Sequence, residues 1–540
     1  MDLRCHPIIT HHPLCGQRCT SACALVRNSA ADPAALTMAS QASIVDGMKV
    51  TTSTVRYKDG DANLHADLRA VCTTLVEGWS AVPPSTLQVV VIQGGITNLL
   101  YRLDNPTPGA KWASALVRVF GAKTELLIDR EKDNRVFQAL SDAKFGPYLH
   151  GVFGNGRVEG WVDAKPLEPA QMGEVGAVDY PSLIAQSLAT MHQLNMAGSR
   201  SPMLWPFLAK WFDMSNVTFT DERLTAGLNS LNRAKLATEL EWLKTVLPSP
   251  ANGNGNAFVQ RSSGVTAEVE RIVSTVVFCH NDLLSGNILK LTGKAALQVV
   301  DFEYGGYNFA GFDLANHFCE YAGFDFDLDR WYPNAAAQAR FFEAYLRVAF
   351  PRSPWLLNAE GTAKLCTALS TRVNQLALAS HFFWGLWAII QARHSPIDFD
   401  FMGYALERFW GYYKHKKAFF PTHFTSDDEA AYGVLIAAKQ RNADLNAAAA
   451  GGEEEAKGTD TPTEEPKKCP FGHGAAGDAK KPSGKCPYAG NRAAIAEPAS
   501  DDVKPSGGSG CPIHSPRLWL GVGIAAVAIG LFVWKRANRS

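Results

Sequence analysis

The sequence predicts an α+β fold with a β-rich N-terminal lobe, a larger helical C-terminal lobe and a C-terminal transmembrane helix. Residues 87–120 are rich in β-branched residues and contain a Gly-Gly turn, a pattern typical of antiparallel strands. Residues 180–248 and the region after residue 320 show the apolar periodicity of helices. Two short apolar runs lie between these helical regions, and each ends in acidic and polar residues.

Composition divides the chain into segments and excludes some functions. The 540 residues carry no net formal charge and 19% are charged, so nothing indicates a nucleic-acid partner. The four cysteines between residues 51 and 424 are too few for a disulfide framework and suit a reducing compartment. The predicted segments are a disordered or transit-like extension (1–50), the N-lobe (51–163), the C-lobe (164–424), a helical extension (425–441), a disordered linker (442–516) and a transmembrane tail anchor (517–536). Within the C-lobe, residues 248–265 are predicted to form a polar loop.

The first apolar run, Val276–Cys279, predicts a buried strand. It is followed by His280-x-Asp282, and Asn287 stands five residues after the Asp. Polar residues directly after a buried strand lie at its end, where they face a cleft. Each of them taken alone is also consistent with a turn or a helix cap.

The second run, Leu297–Val300, leads into Asp301-Phe302-Glu303. An Asp, an Asn five residues later and a strand ending in Asp-Phe have the spacing of the catalytic loop and metal-binding Asp of protein kinases. Phosphoryl transfer requires a carboxylate to orient the acceptor hydroxyl and take its proton, and further oxygen ligands to hold Mg²⁺ on the nucleotide. We therefore predict a protein-kinase-like fold, ATP and Mg²⁺ as cofactors, Asp282 as base, and Asn287 and Asp301 as metal ligands.

Departures from the protein-kinase pattern narrow this interpretation. Asn281 stands where protein kinases carry Arg, and Glu303 stands where they carry Gly. The pattern therefore indicates a kinase-like phosphotransferase that is not a protein kinase.

Several segments resemble the choline/ethanolamine kinase family, and in particular its ethanolamine kinases. They are HNDLLSGNIL, DFEYGGYNFAGFDLANHFCEYAG and LASHFFWGLWAIIQARHSPIDFDFMGYALERF, and the similarity covers roughly residues 85–417. The resemblance implies phosphorylation of ethanolamine by ATP, the first step of phosphatidylethanolamine synthesis.

The resemblance also implies a nucleotide site in the N-lobe. The turn that includes Gly94, Gly95 and Asn98 would cover the phosphates, because Gly allows close approach of the backbone. Arg118 would contact the phosphates in place of the usual kinase Lys. The predicted helix at 124–142 offers two acids that could pair with Arg118, and we assign Glu131 to the nucleotide site, although the sequence does not choose between it and Asp133.

An acceptor site is expected in the C-lobe. Trp384 and Trp387 are three residues apart and share a helix face, which from spacing alone indicates core packing, whereas Trp faces also attract ammonium groups. The resemblance implies that these two residues surround a small amino-alcohol together with Tyr304, Glu320 and Tyr404.

Ethanolamine is the preferred acceptor on chemical grounds. A primary ammonium donates three hydrogen bonds and gains from a carboxylate such as Glu320, whereas a quaternary ammonium relies on aromatic rings. Choline kinases carry further aromatic residues just after this Glu, where the present sequence has Tyr321-Ala322-Gly323. The alternatives are a choline or dual-specificity kinase, an aminoglycoside-type phosphotransferase, and a membrane-tethered inactive scaffold.

The predicted tail anchor has the features of a membrane span. Residues 518–534 form an uncharged apolar run with Trp519 and Trp534 near its ends and Lys535-Arg536 after it. We expect a tail-anchored protein whose kinase faces the cytosol, on the endoplasmic reticulum or an organelle outer membrane. The sequence does not define the oligomeric state, and a homodimer is compatible with it.

Overall fold

The computed structural model of the chain describes residues 42–57, 63–92, 98–121, 124–397 and 399–455. Some sequence predictions lie outside the described residues: the extension before residue 42, the turn residues Gly94 and Gly95, the linker beyond residue 455, and the tail anchor at 517–536.

The N-lobe is built on a seven-stranded sheet. Its strands are β1 (Ser43–Val45), β2 (Met48–Val50), β3 (Gln88–Ile92), β4 (Asn98–Asp104), β5 (Ser114–Phe120), β6 (Leu149–Phe153) and β7 (Gly156–Gly160), in the order β1-β2-β6-β7-β5-β4-β3. Neighbouring strands are antiparallel except for the parallel pair β2–β6. Helices α1 (Leu64–Leu75) and α2 (Arg130–Asp142) pack against this sheet. The strands predicted between residues 87 and 120 are confirmed as β3, β4 and β5.

The boundary of the N-lobe at residue 51 is wrong. Strands β1 and β2 belong to the sheet, and Val50 pairs with Val152 of β6. Each of these strands has three residues, which is too short to show the alternation that identifies a strand in a sequence. β1 is also exposed along its whole length, so its sequence lacks the alternation of buried and exposed residues by which a strand is predicted.

Helix α2 begins later than predicted. Residues Thr124–Leu126 form a 3-10 turn, and the α-helix begins at Arg130 because the Asp129 side chain accepts a hydrogen bond from the backbone N–H of Lys132 at 3.0 Å. The buried face of the helix includes Phe137. This residue packs in the core of the C-lobe rather than in the core between α1 and the sheet, so α2 joins the two lobes.

The C-lobe contains two small sheets that carry the catalytic stretch. Their strands are β8 (Ala164–Pro166), β9 (Val276–Cys279), β10 (Ile288–Leu291), β11 (Leu297–Val299) and β12 (Gly306–Phe309). β10 lies between β8 and β11, and β9 pairs with β12, in each case antiparallel. Both predicted catalytic strands are present, so residues 280–287 and 301–305 emerge beside one another.

The remainder of the C-lobe is helical. Its helices are α3 (Tyr180–His192), α4 (Leu204–Met214), α5 (Glu222–Ser230), α6 (Arg233–Val246), α7 (Asn256–Arg261), α8 (Gly264–Ser274), α9 (Ala310–Glu320), α10 (Leu328–Trp331), α11 (Ala335–Ala349), α12 (Ala359–His394), α13 (Phe401–Phe419) and α14 (Ser426–Glu455). The 36-residue α12 is central and contacts α4, α8, α9, α11 and α13. Among the described residues it is the one helix long and apolar enough to cross a membrane, yet its apolar part is largely buried by packing.

Two predicted irregular segments are helical instead. The polar loop expected at 248–265 contains a 3-10 turn, α7 and the start of α8. Its Gly and Asn residues serve the turn, where Gly253, Asn254 and Gly255 adopt positive φ angles of 66°, 53° and 96°. The helical extension predicted at 425–441 is confirmed, but α14 continues to Glu455, through the first part of the predicted linker.

Helix α14 is attached to the C-lobe through buried charges. The carboxylate of Asp428 forms ion pairs with Lys235 at 2.7 Å and with Lys416 at 2.9 Å, and both lysines also contact Glu239. The side chain of Asp428 has no exposed surface. Two cations and two acids therefore neutralise one another where α6, α13 and α14 meet.

We predict that Asp428→Asn lowers the free energy of unfolding by about 3 kcal/mol, because it leaves buried lysine charge without compensation. The measurement is the thermal unfolding midpoint of the full-length protein. Asp427→Asn changes the exposed neighbour on the same helix and should cost less than about 1 kcal/mol. Equal shifts for the two variants would contradict a buried charge cluster.

Candidate active site

The catalytic loop after β9 is held by a buried carboxylate. Asp313, in the first turn of α9, accepts the backbone N–H of His280 at 2.8 Å and that of Asn281 at 2.7 Å. It also contacts Nε2 of His192 at 3.1 Å. Asn281 has a φ of 64°, a left-handed conformation that Asn tolerates better than most residues. The carboxylate thus fixes the tight turn that places Asp282 at the end of the strand.

Other polar residues of α9 lie on the same helix face and hold the same region. Asn316 donates to the backbone oxygen of Asn281 at 3.2 Å and accepts from Nε1 of Trp384 at 2.7 Å. Nδ1 of His317 lies 2.8 Å from the backbone oxygen of Leu283. Asp313, Asn316 and His317 were not among the site residues predicted from the sequence, although a polar stripe at 313, 316, 317 and 320 in an apolar helix is a usable signal.

Asp282 and Asn287 lie side by side as predicted. Nδ2 of Asn287 donates to the backbone oxygen of Asp282 at 2.8 Å and to its Oδ2 at 3.3 Å. This orientation uses the amide nitrogen and leaves the amide oxygen as the atom that could coordinate a metal. Burial raises the pKa of Asp282 well above its usual value, and the negative charges of Glu320 and Asp301 raise it further.

Asp301 follows β11 in a left-handed conformation, with a φ of 64°. Each of its carboxylate oxygens lies 3.2 Å from NH1 of Arg118, a contact that crosses from one lobe to the other. Burial alone would raise the pKa of Asp301, but the charges of Arg118 and Arg157 outweigh it and hold the pKa below its usual value. The group is therefore an ionised oxygen donor.

The acid partner of Arg118 differs from both candidates that the sequence offered. Nε of Arg118 donates to Oε1 of Glu159 at 2.8 Å, and this pair is buried. Glu131 lies on the exposed side of α2 and pairs with Arg135, four residues along the same helix. The assignment of Glu131 to the nucleotide site is thus wrong, because its position on the helix directs it toward solvent.

The second candidate, Asp133, reaches Arg118 only through intermediates. Asp133 is buried on α2 and lies 2.9 Å from NH1 of Arg157 on β7. Nε of Arg157 in turn donates to Oε1 of Glu159 at 2.8 Å, the oxygen that also accepts from Arg118. The helix acid is therefore coupled to the nucleotide-site arginine by a buried arginine and a strand acid.

Asn98, also predicted at the nucleotide site, joins a second contact between the lobes. Its Nδ2 donates to Oε2 of Glu303 at 3.2 Å, and its Oδ1 accepts from NH2 of Arg130 at 3.1 Å. NH1 of Arg130 completes the group with a 3.0 Å contact to Glu303. The first residue of β4, just after the predicted phosphate-covering turn, is thereby tied to the segment that follows Asp301.

The donor atoms at this cleft suit a hard divalent cation. Asp301 offers carboxylate oxygens and Asn287 offers an amide oxygen, which are the ligands that Mg²⁺ prefers. Burial raises the pKa of Asp282, and the negative charges of Glu320 and Asp301 raise it further, so a cation beside these acids would be favoured. The residues present therefore fit the predicted metal.

The predicted acceptor residues are brought together in two groups, and Asn316 joins Trp384 of the first group to the backbone of Asn281, next to Asp282. In the first, Nε1 of Trp387 donates to the hydroxyl of Tyr304 at 2.9 Å. The ring of Trp384 lies 5.3 Å from that of Tyr304 and 5.5 Å from that of Trp387, in edge-to-face arrangements. These three rings form one aromatic wall.

The second group contains Glu320, Tyr404 and a residue that the sequence analysis missed. NH1 of Arg408 lies 3.1 Å from Oε1 of Glu320 and 3.2 Å from the hydroxyl of Tyr404. Phe401, also missed, packs on Trp387 with ring centroids 5.7 Å apart. The position of Arg408 one helical turn after Tyr404 is a signal that the sequence contained.

We predict that Glu159→Gln weakens nucleotide binding, because two buried arginines then share an uncharged partner and Arg118 loses its fixed position. The expected result is a Kd for ATP at least about tenfold higher, or about 1.4 kcal/mol, measured by titration of the full-length protein. Glu131→Gln is the matched control and should change the Kd less than twofold. An effect of Glu131→Gln as large as that of Glu159→Gln would contradict the observed pairing.

Comparisons with known proteins place the sequence among kinases that act on small amino-alcohols. The sequence model of the choline/ethanolamine kinase family matches residues 89–413. An Arabidopsis thaliana protein named probable ethanolamine kinase is 34% identical over 350 residues, which are 64% of this chain and 84% of that protein. A human protein named choline/ethanolamine kinase is 31% identical over 394 residues, 69% of this chain and 92% of that protein.

A solved structure shows the same fold. Plasmodium vivax ethanolamine kinase superposes with a TM-score of 0.53 at 24% sequence identity, covering 66% of this chain and 89% of that one. The match of the family model over more than half of the chain is independent of this superposition. The protein belongs to the choline/ethanolamine kinase family.

Proposed function

We propose that the protein transfers the γ-phosphoryl group of ATP to the hydroxyl of ethanolamine, the first step toward phosphatidylethanolamine. The observation that carries this proposal is that Asn316 joins Trp384 of the aromatic wall to the backbone of Asn281, the residue before Asp282. An acid-and-aromatic pocket beside a base fits a small cation that carries a hydroxyl. The names of the two relatives described above support the same class of acceptor.

The chemistry of the transfer assigns a role to Asp282. Its carboxylate would orient the acceptor hydroxyl and take its proton, and its raised pKa makes it a stronger base than an ordinary Asp. The bond between the γ-phosphorus and the bridging oxygen of ADP breaks while the bond from the acceptor oxygen forms. The products are ADP and phosphoethanolamine, with the acceptor proton on Asp282.

The nucleotide would be held by residues from both lobes. Asn287 and Asp301 would hold Mg²⁺, which when bound neutralises charge on the phosphates. Arg118, fixed by Glu159, contacts Asp301 and so lies beside the place where those phosphates would sit. The turn at Gly94 and Gly95 would cover the phosphates from the N-lobe.

Ethanolamine is preferred over choline because the pocket contains a carboxylate. Glu320 has one oxygen engaged by Arg408, so its other lone pairs can accept N–H bonds from a primary ammonium. The aromatic wall of Tyr304, Trp384 and Trp387 also suits a quaternary ammonium. Choline as an additional acceptor is therefore the second candidate.

A catalytically inactive scaffold is the candidate from another class. It has no need of an ionised Asp301, an Asn287 oriented by Asp282, and an arginine that bridges the lobes. The conjunction of these features favours an enzyme.

A coupled assay of ADP release tests the proposed reaction on the full-length protein, with ethanolamine, choline or no acceptor. We expect kcat/KM for ethanolamine to exceed that for choline at least tenfold, a gap of about 1.4 kcal/mol. Asp282→Asn should lower kcat by about 10²- to 10⁴-fold, as loss of a general base does. Asp325→Asn, at an exposed position, is the control and should retain activity.

Three outcomes of that assay would contradict the proposal. ADP release that does not depend on the acceptor would contradict phosphoryl transfer to ethanolamine. Full turnover by Asp282→Asn would contradict the assignment of Asp282 as the base. A preference for choline would show that the aromatic wall outweighs the carboxylate.

We also propose that residues 517–536 anchor the kinase in a membrane, with the enzyme on the cytosolic side. The support is sequence-based: an apolar run of seventeen residues with flanking Arg517 and Lys535-Arg536. Anchoring would release phosphoethanolamine near membrane-bound enzymes that consume it.

Deletion of residues 516–540 should therefore move the protein from the membrane to the soluble fraction of a cell lysate, with kcat changed less than twofold. Deletion of residues 475–499 removes an equal length of chain from the linker and should leave the protein on the membrane. A full-length protein found in the soluble fraction would refute the anchor.

A further inference from the structure

A buried arginine lies next to the carboxylate that is assigned to the substrate cation. Arg408 is 0% exposed, and its Nε has no hydrogen-bond partner among the described residues. Burying a guanidinium costs free energy, and a positive charge at this place also repels an ammonium ligand. The arrangement thus carries two unfavourable terms that a neutral residue would avoid.

The contacts of Arg408 reach every helix that contributes to the acceptor site. NH1 contacts Glu320 on α9 and the Tyr404 hydroxyl on its own helix, α13. NH2 donates to Oγ of Ser380 at 3.0 Å, and Ser380 lies one turn before Trp384 on α12. The guanidinium therefore sets the relative positions of the acid and of both aromatic groups.

The ring of a residue with a strained backbone, Phe326, packs against this guanidinium. Phe326 is buried and has a φ of 54°, which is rare for a bulky residue. Its ring centroid lies 5.2 Å from the guanidinium carbon of Arg408 and 6.2 Å from the ring of Tyr404. Backbone strain of this kind persists where the surroundings require one position of the side chain.

The ion pair changes what Glu320 can recognise. A free buried carboxylate attracts any cation by its charge, whether or not the cation has N–H groups. Paired with Arg408, Glu320 has its charge compensated and one oxygen occupied, and it retains lone pairs in a fixed direction. A fixed acceptor rewards a ligand that donates N–H bonds and gives little to a quaternary ammonium.

We infer that Arg408 is a positioning residue that sets acceptor specificity: by compensating and orienting Glu320, it favours primary over N-methylated ammonium alcohols. This inference rests on the proposed function, since it concerns the same acceptor pocket. The inference predicts the direction in which loss of Arg408 changes the ratio of kcat/KM for ethanolamine to kcat/KM for choline. Without Arg408, Glu320 loses the partner that fixes its direction, so its hydrogen bonds to a primary ammonium weaken. The charge of Glu320 attracts both acceptors alike, and the ratio therefore falls.

The experiment compares kcat/KM for ethanolamine and choline in the full-length wild type and in Arg408→Met. We expect the ethanolamine-to-choline ratio to fall at least tenfold in the variant, while KM for ATP changes less than twofold. Arg372→Met is the matched control, because Arg372 is also a buried arginine of the C-lobe paired with an acid, Glu270, and is not part of the acceptor site. Its ratio should equal that of the wild type.

A double variant covers the case in which Arg408→Met does not fold. Glu320→Gln/Arg408→Gln removes both charges together and so leaves no unpaired buried ion, and it should show the same low ratio. A ratio within twofold of wild type in a folded Arg408 variant or in the double variant would overturn the inference, because equal losses for both acceptors indicate a purely structural role. A wild type without acceptor-dependent turnover would instead overturn the proposed function.

Discussion

The carboxylate of Asp313 is the group on which the active site most depends. The tight turn after β9 leaves two buried backbone N–H groups that no strand partner satisfies, and this one side chain accepts both. Unsatisfied, each of them would cost about 1–3 kcal/mol. The same helix face carries Asn316, bonded to the loop and to Trp384, and Glu320, at the acceptor pocket. One helix therefore sets the distance between the catalytic loop and the aromatic wall, which are the proposed sites of the base and of the substrate.

Among the described residues, the proposed nucleotide site is organised by a chain of charged contacts. Protein kinases pair a strand cation directly with a helix acid, whereas here the chain of contacts runs from Asp133 through Arg157 and Glu159 to Arg118. The guanidinium of Arg118 then reaches Asp301 in the other lobe. Because Glu159 lies on a strand of the central sheet, the position of Arg118 depends on a rigid element and only indirectly on α2. Movement of α2 should therefore disturb this cation less than it disturbs its counterpart in protein kinases.

Local patterns sufficed for the strands and for the positions of the polar residues that follow them, because an apolar run followed by acids can be recognised within about ten residues. The α+β fold, β9, Asp282, Asn287 and Asp301 were predictable in this way. The partner of Arg118 was not predictable in this way. Its identity depends on which face of α2 is buried, and the sequence does not show that Asp133 is on the buried face and Glu131 on the exposed one. β1 and β2 were too short to show a period. Arg408 was visible in the sequence, but its importance follows from a pairing with Glu320 that spans 88 residues.

The proposed acceptor pocket would combine two modes of cation recognition that respond differently to N-methylation. Aromatic faces attract an ammonium whatever its substituents, so the wall of Tyr304, Trp384 and Trp387 provides affinity with little discrimination. To discriminate a primary from an N-methylated ammonium, the pocket needs a hydrogen-bond acceptor that rewards correctly directed N–H groups. A carboxylate without a compensating cation would attract both ligands mainly by its charge. Neutralising Glu320 with a buried guanidinium weakens its charge and keeps its direction. Burying Arg408 costs free energy and adds no attraction for the ligand, so specificity explains its presence better than affinity or stability does.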